Sequence, residues 1–307
     1  MKKKPDVSDR HESVLLDETV GGLLLKKGDT AIDATAGSGG HSKALAKKLG
    51  AKGTLLVIDA DKNAIAETKR ALKGESAKII YMHGNFRKLK YFAKEAGITE
   101  ADGVVFDLGW RIEQLNSGKG LSFRSKEPLL MTLGNPDESL RTAKDIIANW
   151  DESEIEKMLR ELGDERFSKR IAHAIHEARK RFSIETAEDL SEIVWNAVPG
   201  FYRHGKLHPA TKTFQALRIA VNEELEALKE GLKDAMDILS DGGRVAVISF
   251  HSLEDRIVKH MFRDAEDSGF GVRVTKKPIV PTLAERTKNA RSRSAKLRIF
   301  EKKHGKA

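Results

Sequence analysis

Between residues 30 and 107, short apolar β-branched runs alternate with amphipathic stretches of helical period, and no other feature limits the fold of this chain as much. Strands are expected at Thr30–Asp33, Thr54–Asp59, 78–82 and 103–107, with helices after Gly39, Asp61 and Arg87. Strands joined through helices pair in parallel, because a parallel connection is too long for a hairpin turn. The expected class is therefore α/β with a parallel sheet whose strands end at one crevice.

The alternation stops after Phe123, and residues 136–198 read as helices only, with caps such as Asp151 ahead of apolar-periodic runs. Phe201-Tyr-Arg-His-Gly-Lys-Leu-His-Pro209 reads as a loop, followed by one long helical stretch over 210–239. The strand pattern returns at Arg244-Val-Ala-Val-Ile-Ser249, after a turn at Asp241-Gly-Gly243, and again at 297–300. The expected organisation is a sheet domain split into 1–135 and 206–307 around a helical substrate-recognition module at 136–205. A chain of 307 residues fits one core plus a modest second module.

Asp33-Ala-Thr-Ala-Gly37-Ser-Gly39-Gly40-His41 lies between the first strand and its helix. Glycines there let the backbone approach a ligand, and the helix start offers free N–H groups. The next strand ends in Asp59, twenty residues after Gly39, where a carboxylate can accept from both ribose hydroxyls of an adenosine. A dinucleotide fingerprint calls for glycine at position 42, where this chain has Ser42. Asp33 would repel a pyrophosphate and suits a cationic cofactor with an amino-acid tail, so S-adenosylmethionine is expected over NAD. Asp107, ending the fourth strand, faces the same crevice or caps a turn. Phe86, after the third strand, lies against the adenine or in the core.

The net charge of +9 is concentrated. Residues 271–307 hold twelve Lys or Arg against Glu285 and Glu301, which leaves a net of −1 on the preceding 270. Such a segment either binds a polyanion through its phosphates or serves to solubilise. No apolar run is long enough to span a bilayer, and the stretch from Met1 to Arg10 lacks the apolar run of a secretory signal. The absence of cysteine removes disulfides and thiolate chemistry. The expectation is a cytoplasmic protein that does not cross a membrane. No metal constellation stands out, and His173, His176 and His260 read as surface or helix-packing residues.

In the helix after His208, Thr211, Gln215, Arg218 and Asn222 fall on one polar face, while Phe214, Leu217 and Val221 point inward. A solvated face usually carries more Lys and Glu, so this one is expected to line a site. In Ser249-Phe-His-Ser-Leu-Glu-Asp255, Ser252 is the expected N-cap with Asp255 completing a capping box. His251 then sits at the crevice rim or is a loop histidine satisfied by backbone.

The segments His11-Glu-Ser-Val-Leu, Asp33 to His41, Asp107-Leu-Gly109, Gly120-Leu-Ser-Phe123, Glu165-Arg-Phe167, His208-Pro-Ala-Thr-Lys-Thr-Phe-Gln-Ala-Leu-Arg-Ile-Ala-Val-Asn222, Ser249 to Arg256 and Arg293-Ser-Ala-Lys-Leu-Arg298 together resemble the ribosomal RNA small-subunit methyltransferase H (MraW) family. The resemblance runs from His11 to about Arg298, and the block from His208 to Asn222 is far more specific than a glycine turn. It implies a Rossmann-like S-adenosylmethionine-dependent methyltransferase sheet with an inserted helical module. It also implies methylation of the exocyclic N4 of a cytosine in the decoding centre of 16S ribosomal RNA, with the small ribosomal subunit or its RNA as partner. By the family's pattern Gly39, Gly40, His41, Asp59, Phe86, Asp107 and Gln114 contact the cofactor, alongside Asp33 and Gly37 from the turn. Asp107 is the expected catalytic residue, accepting a hydrogen bond from the amine. Trp110, His208, Gln215, Arg218, Asn222 and His251 are the expected substrate contacts, and a homodimer is compatible with the sequence.

The chain departs from the family beside the site. Asp107-Leu-Gly109 is followed by Trp110-Arg111-Ile112 instead of Val-Ser-Ser, and Leu130-Met-Thr-Leu-Gly134 replaces Asp-Met-Arg-Met-Asp. Leu121 stands where phenylalanine is usual. Trp110 is either a stacking platform for a base or a core residue. Three readings stay open: an active cytosine-N4 methyltransferase, a non-catalytic RNA-binding or subunit-assembly factor of the same fold, and a methyltransferase for another base or for DNA.

Overall fold

A computed structural model describes residues 13–109, 118–133 and 141–303. The chain divides into two compact units, 1–109 with 227–307, and 110–226. In the first unit, strands β1 (Thr30–Asp33), β2 (Thr54–Asp59), β3 (Lys78–His83), β4 (Ala101–Asp107), β5 (Leu239–Ser249), β6 (Gly271–Arg273) and β7 (Lys296–Lys302) form one sheet in the order β3-β2-β1-β4-β5-β7-β6. The first five pair in parallel, and β7 runs antiparallel to both β5 and β6. Helices α2 (Gly40–Leu49), α3 (Lys62–Ala71) and α4 (Leu89–Glu95) cross over between the early strands, preceded by α1 (Leu16–Gly22). The strand order reverses on either side of β1, as in Rossmann-like sheets, and that switch point is where such sheets take ligands.

The second unit is helical. It contains α5 (Ala143–Asn149), α6 (Glu152–Gly163), α7 (Ser168–Arg179), α8 (Ala187–Ala197), the single turn α9 (Gly200–Arg203) and α10 (Ala210–Asn222). Thr142 and Thr186 cap α5 and α8, each in a reciprocal box with the aspartate three residues on. Ile146, Ile155, Leu159, Ile171, Ile175, Leu190, Val194, Phe214 and Leu217 form its core at helical spacing.

The sheet unit resumes with α11 (Glu224–Asp237), followed by α12 (Ser252–Asp267) and α13 (Leu283–Lys288). Residues alternate along each strand between its two faces. Ile32, Leu56, Val104, Phe106 and Val245 pack with Leu89 of α4, Leu232 of α11 and Phe262 of α12. Their neighbours Ala31, Leu55, Val57, Val105 and Ala246 pack with Leu45 and Leu49 of α2. Both faces are covered, which is why these strands are continuously apolar.

Four features differ from the sequence reading. The helical unit is wider than 136–205, because Ala210, Phe214, Ala216, Leu217 and Val221 of α10 belong to its core. The stretch 210–239 is two helices, since Glu223 adopts a left-handed conformation (φ 48°) and ends α10. Without Gly or Pro, nothing in the sequence marks that break. Strand β5 begins at Leu239 and runs through the expected turn at Asp241-Gly-Gly243, with a register shift against β4 absorbing it. Strand β6 has only three residues and carries no pattern of its own. Of the other segments, His11 and Glu12 lie outside the described residues.

Candidate active site

The carboxyl ends of β1, β2 and β4 deliver Asp33, Asp59 and Asp107 to one edge of the sheet. Asp33 is fully buried: Oδ2 accepts from the Ser42 hydroxyl at 2.5 Å and Oδ1 from the Thr35 N–H at 3.2 Å. Burial raises its pKa, against the Ser42 hydrogen bond. Thr35 also accepts the Asp107 N–H at 2.6 Å, so β1 and β4 are bracketed where their chemistry begins.

The glycine turn is shaped by contact. Gly37 and Gly39 hold positive φ of 54° and 86°, a region that strains any L side chain. At Gly40 a Cβ would stand 1.9 Å from Ser13 Oγ, so any side chain there would have to displace Ser13. Asp59 ties the turn down, with Oδ2 accepting the Gly37 N–H at 2.9 Å and Oδ1 the Asp61 N–H at 2.8 Å. The carboxylate thus holds the turn and the start of α3 together at the end of β2.

His41, in the first turn of α2, is buried with Nδ1 3.5 Å from Asp107 Oδ2, and its Nε2 has no hydrogen-bond partner among the described residues. Burial lowers its pKa despite the Asp33 charge. The ring is neutral near pH 7, so its contact with Asp107 is polar but not a charged pair. Burial pushes the Asp107 carboxyl up to about 7, with the Gly109 N–H and the Arg291 charge pulling it back and Glu254 adding to the rise. Asp107 therefore changes protonation near neutrality, the condition in which a carboxylate can accept a proton and return it.

Phe86 packs edge-on against Phe106 with ring centroids 5.5 Å apart, and Gly231 of α11 lies so close that a Cβ there would meet its ring at 2.8 Å. It forms part of the sheet-face core. The N-cap of α12 is His251, not Ser252. Its Nδ1 accepts the Glu254 N–H at 3.5 Å, and Glu254 closes the box on the His251 N–H at 3.3 Å. Asp255 instead accepts from Arg298 at 2.7 Å and Lys296 at 3.0 Å, fastening α12 to β7. The box shifts by one residue because the imidazole can cap and Asp255 already has two cationic partners.

In the helical unit, the polar face of α10 is largely used internally. Arg218 grips Glu224 through two hydrogen bonds of 2.8 and 2.9 Å. Asn222 accepts the Leu133 N–H at 2.8 Å and donates to the carbonyls of Met131 at 2.9 Å and Arg218 at 2.8 Å. Gln215 is half-buried. His208 stacks on Phe123 at 4.3 Å and lies 5.4 Å from the Trp195 ring. Trp110 and Gln114 lie outside the described residues, as does Gly134.

The structure thus gathers Asp33, Gly37, Gly39, Gly40, His41, Asp59 and Asp107 at one sheet edge. The sequence reading passed over Thr35 and Ser42, which stand inside or beside the glycine motif and were legible as hydroxyls next to carboxylates. It also passed over Arg291 and Glu254, whose effect on Asp107 arises only from folding.

Residues 8–303 match the profile of the MraW methylase family. The chain belongs to that family. Its relatives include three proteins named ribosomal RNA small subunit methyltransferase H. The one from Brevibacillus brevis is 40% identical over 312 residues, covering 96% of this chain and 99% of its own. Those from Persephonella marina and Clostridium botulinum strain 657 are each 42% identical, covering 95% of this chain and 99% of theirs. Within this MraW-family chain, the matched span includes every candidate site residue named above. Among the described residues no helix is long and apolar enough to cross a membrane.

Proposed function

We propose that this MraW-family protein transfers a methyl group from S-adenosylmethionine to the exocyclic N4 of a cytosine in the decoding centre of small-subunit ribosomal RNA, in the cytoplasm. The names of its relatives support the RNA substrate class. The observation that carries the chemistry is Asp107, a carboxyl at a parallel strand end, held near pKa 7 beside neutral His41.

The residues fit the cofactor. Gly37, Gly39 and Gly40 leave backbone where side chains cannot stand. Asp59 brings a carboxylate to the end of β2 beside the glycine turn, and His41 Nε2 is a buried polar atom in need of a partner. When bound, S-adenosylmethionine supplies an electrophilic methyl on a positively charged sulfur.

The protein's task is positioning and proton management. A cytosine amine is a poor nucleophile because its lone pair is delocalised into the ring. Asp107 as carboxylate accepts a hydrogen bond from that amine and favours the pyramidal nitrogen. As the N–C bond forms and the C–S bond breaks, the amine's surplus proton passes to Asp107 Oδ. Holding the reactants at attack distance supplies up to roughly 7–11 kcal/mol in well-oriented cases. The acceptor base must be unpaired or flipped to reach such a site.

The test is transfer of labelled methyl from S-adenosylmethionine to small ribosomal subunits lacking cytosine-N4 methylation, with nucleoside analysis of the product. Labelled N4-methylcytidine, absent with Asp107→Ala, is expected. Label on another base would leave the methyltransferase and remove the cytosine. Absence of label alongside intact RNA binding would make the chain a binding factor.

A further inference from the structure

The helical unit carries an aromatic hollow that the proposed chemistry does not use. It measures about 460 Å³ and is lined by Ser191, Glu192, Trp195 and Asn196 of α8 together with His208. Trp195 and His208 are both half-buried, while Glu192 and Asn196 are exposed. The Trp195 and His208 rings are stacked, with 28° between their planes, and Phe123 lies parallel to His208 within 5°. A graded set of flat rings opening onto solvent is the arrangement on which unpaired bases stack.

The polar groups at the rim add recognition. His208 Nδ1 accepts the Ala210 N–H at 3.2 Å, so the ring proton sits on Nε2 as a donor. Burial and nearby Arg124 lower the His208 pKa, which keeps that tautomer neutral. The Asn196 amide and Glu192 carboxylate have no hydrogen-bond partner among the described residues. Together they offer donors and acceptors to a base edge. Arg203, the last residue of α9, donates to the Val198 and Asn196 carbonyls at 3.1 and 3.2 Å, and Arg124 stands over Phe123 at 5.7 Å, so positive charge for a phosphate backbone lies beside the rings.

We infer that this hollow is an RNA-binding subsite that takes one unpaired nucleobase, stacked on Trp195 and read along its edge by Glu192, Asn196 and His208 Nε2–H. It rests on the reading of the chain as an RNA methyltransferase, and none of these residues takes part in the chemistry assigned to Asp107.

The experiment uses the full chain with a short, fluorescently labelled single-stranded RNA, and the same sequence as a duplex for control. Trp195→Ala is expected to weaken single-strand binding roughly 5- to 150-fold, the range of one base–aromatic stack, while the salt dependence keeps its slope. Trp195→Phe should restore most of the affinity, and Asn196→Ala or Glu192→Ala should lower it by a smaller factor. If Trp195→Ala disturbs folding, those two exposed-site variants and Trp195→Phe carry the test. Wild-type affinity in a folded Trp195→Ala protein, or equal losses on single strand and duplex, overturns the subsite and leaves the methyltransferase reading standing. A wild-type protein that binds neither RNA overturns both.

Discussion

The two units handle buried polar groups in opposite ways. At the sheet edge, Asp33, Asp59, His41 and Asp107 are held by partners within the strand ends and glycine turn, and His41 keeps a buried Nε2 without a partner among the described residues. In the helical unit, Arg218, Asn222 and Glu165 spend their groups on Glu224, Met131 with Leu133, and Tyr202. In the second, polarity fixes the fold; in the first it gathers titratable groups at the strand ends, as the proposed chemistry requires. A polar residue on a helix face is therefore a weak guide to substrate contact unless its hydrogen bonds have been accounted for.

That contrast can be broken by substitution. The largest effect is expected from Asp107→Asn, which should lower the methyl-transfer rate by about 10²–10⁴-fold, the usual range for a lost general base. The wild-type rate should rise with pH up to about 7 and flatten above it, following ionisation of Asp107. The stability sign is opposite. A carboxyl raised from 3.8 to about 7 contributes its full stability only below the unfolded value, and loses it progressively as pH rises from 3.8 through about 7. Relative to wild type, Asp107→Asn should therefore be more stable at pH 8 than at pH 5 by up to about 3 kcal/mol. A variant that is inactive and equally destabilised at both pH values would make Asp107 structural.

Asp59→Ala comes next, with cofactor affinity by calorimetry expected to fall about 10- to 100-fold, in line with lost charge-assisted hydrogen bonds. Unchanged affinity would move the ribose contact elsewhere. Asn222→Ala should cost about 1–3 kcal/mol in urea unfolding, because the Leu133 N–H and Met131 carbonyl lose their partner. An unchanged midpoint with lost RNA affinity would return Asn222 to the substrate. The smallest expected effect is in the exposed basic segment. Lys276→Gln with Lys277→Gln should reduce the salt slope of single-strand RNA binding by at most about 1.4, since each phosphate contact contributes about 0.7. A slope that does not move would assign the charge there to solubility.

The parts of this fold that were legible from sequence are those written in consecutive residues. Short apolar runs alternating with stretches of period 3.6 place β1 to β4 nearly to the residue, and the run from Asp33 to His41 marks its own turn. What was not legible depends on distant partners. Arg218 reads from the sequence as a substrate contact, but Glu224, beyond an unsignalled helix break, comes round to meet it. His251 took the cap because Lys296 and Arg298 of a later strand engage Asp255. The Trp195, His208 and Phe123 stack draws on three separate segments, of which only His208 reads from the sequence as a substrate contact.

Strand β7 enters the sheet between β5 and β6, although both precede it in the chain. On a ribosome adding about 5–20 residues per second, the outer edge of β5 must wait seconds for its neighbour, with its N–H and C=O groups open to wrong pairing. Residues 250–295 are made in that interval, and α12 can fold against the sheet at once through Val258 and Phe262. The order of synthesis thus makes α12 a temporary guard. A variant with a weakened α12 face, such as Phe262→Ala, should lose soluble yield out of proportion to its loss of equilibrium stability.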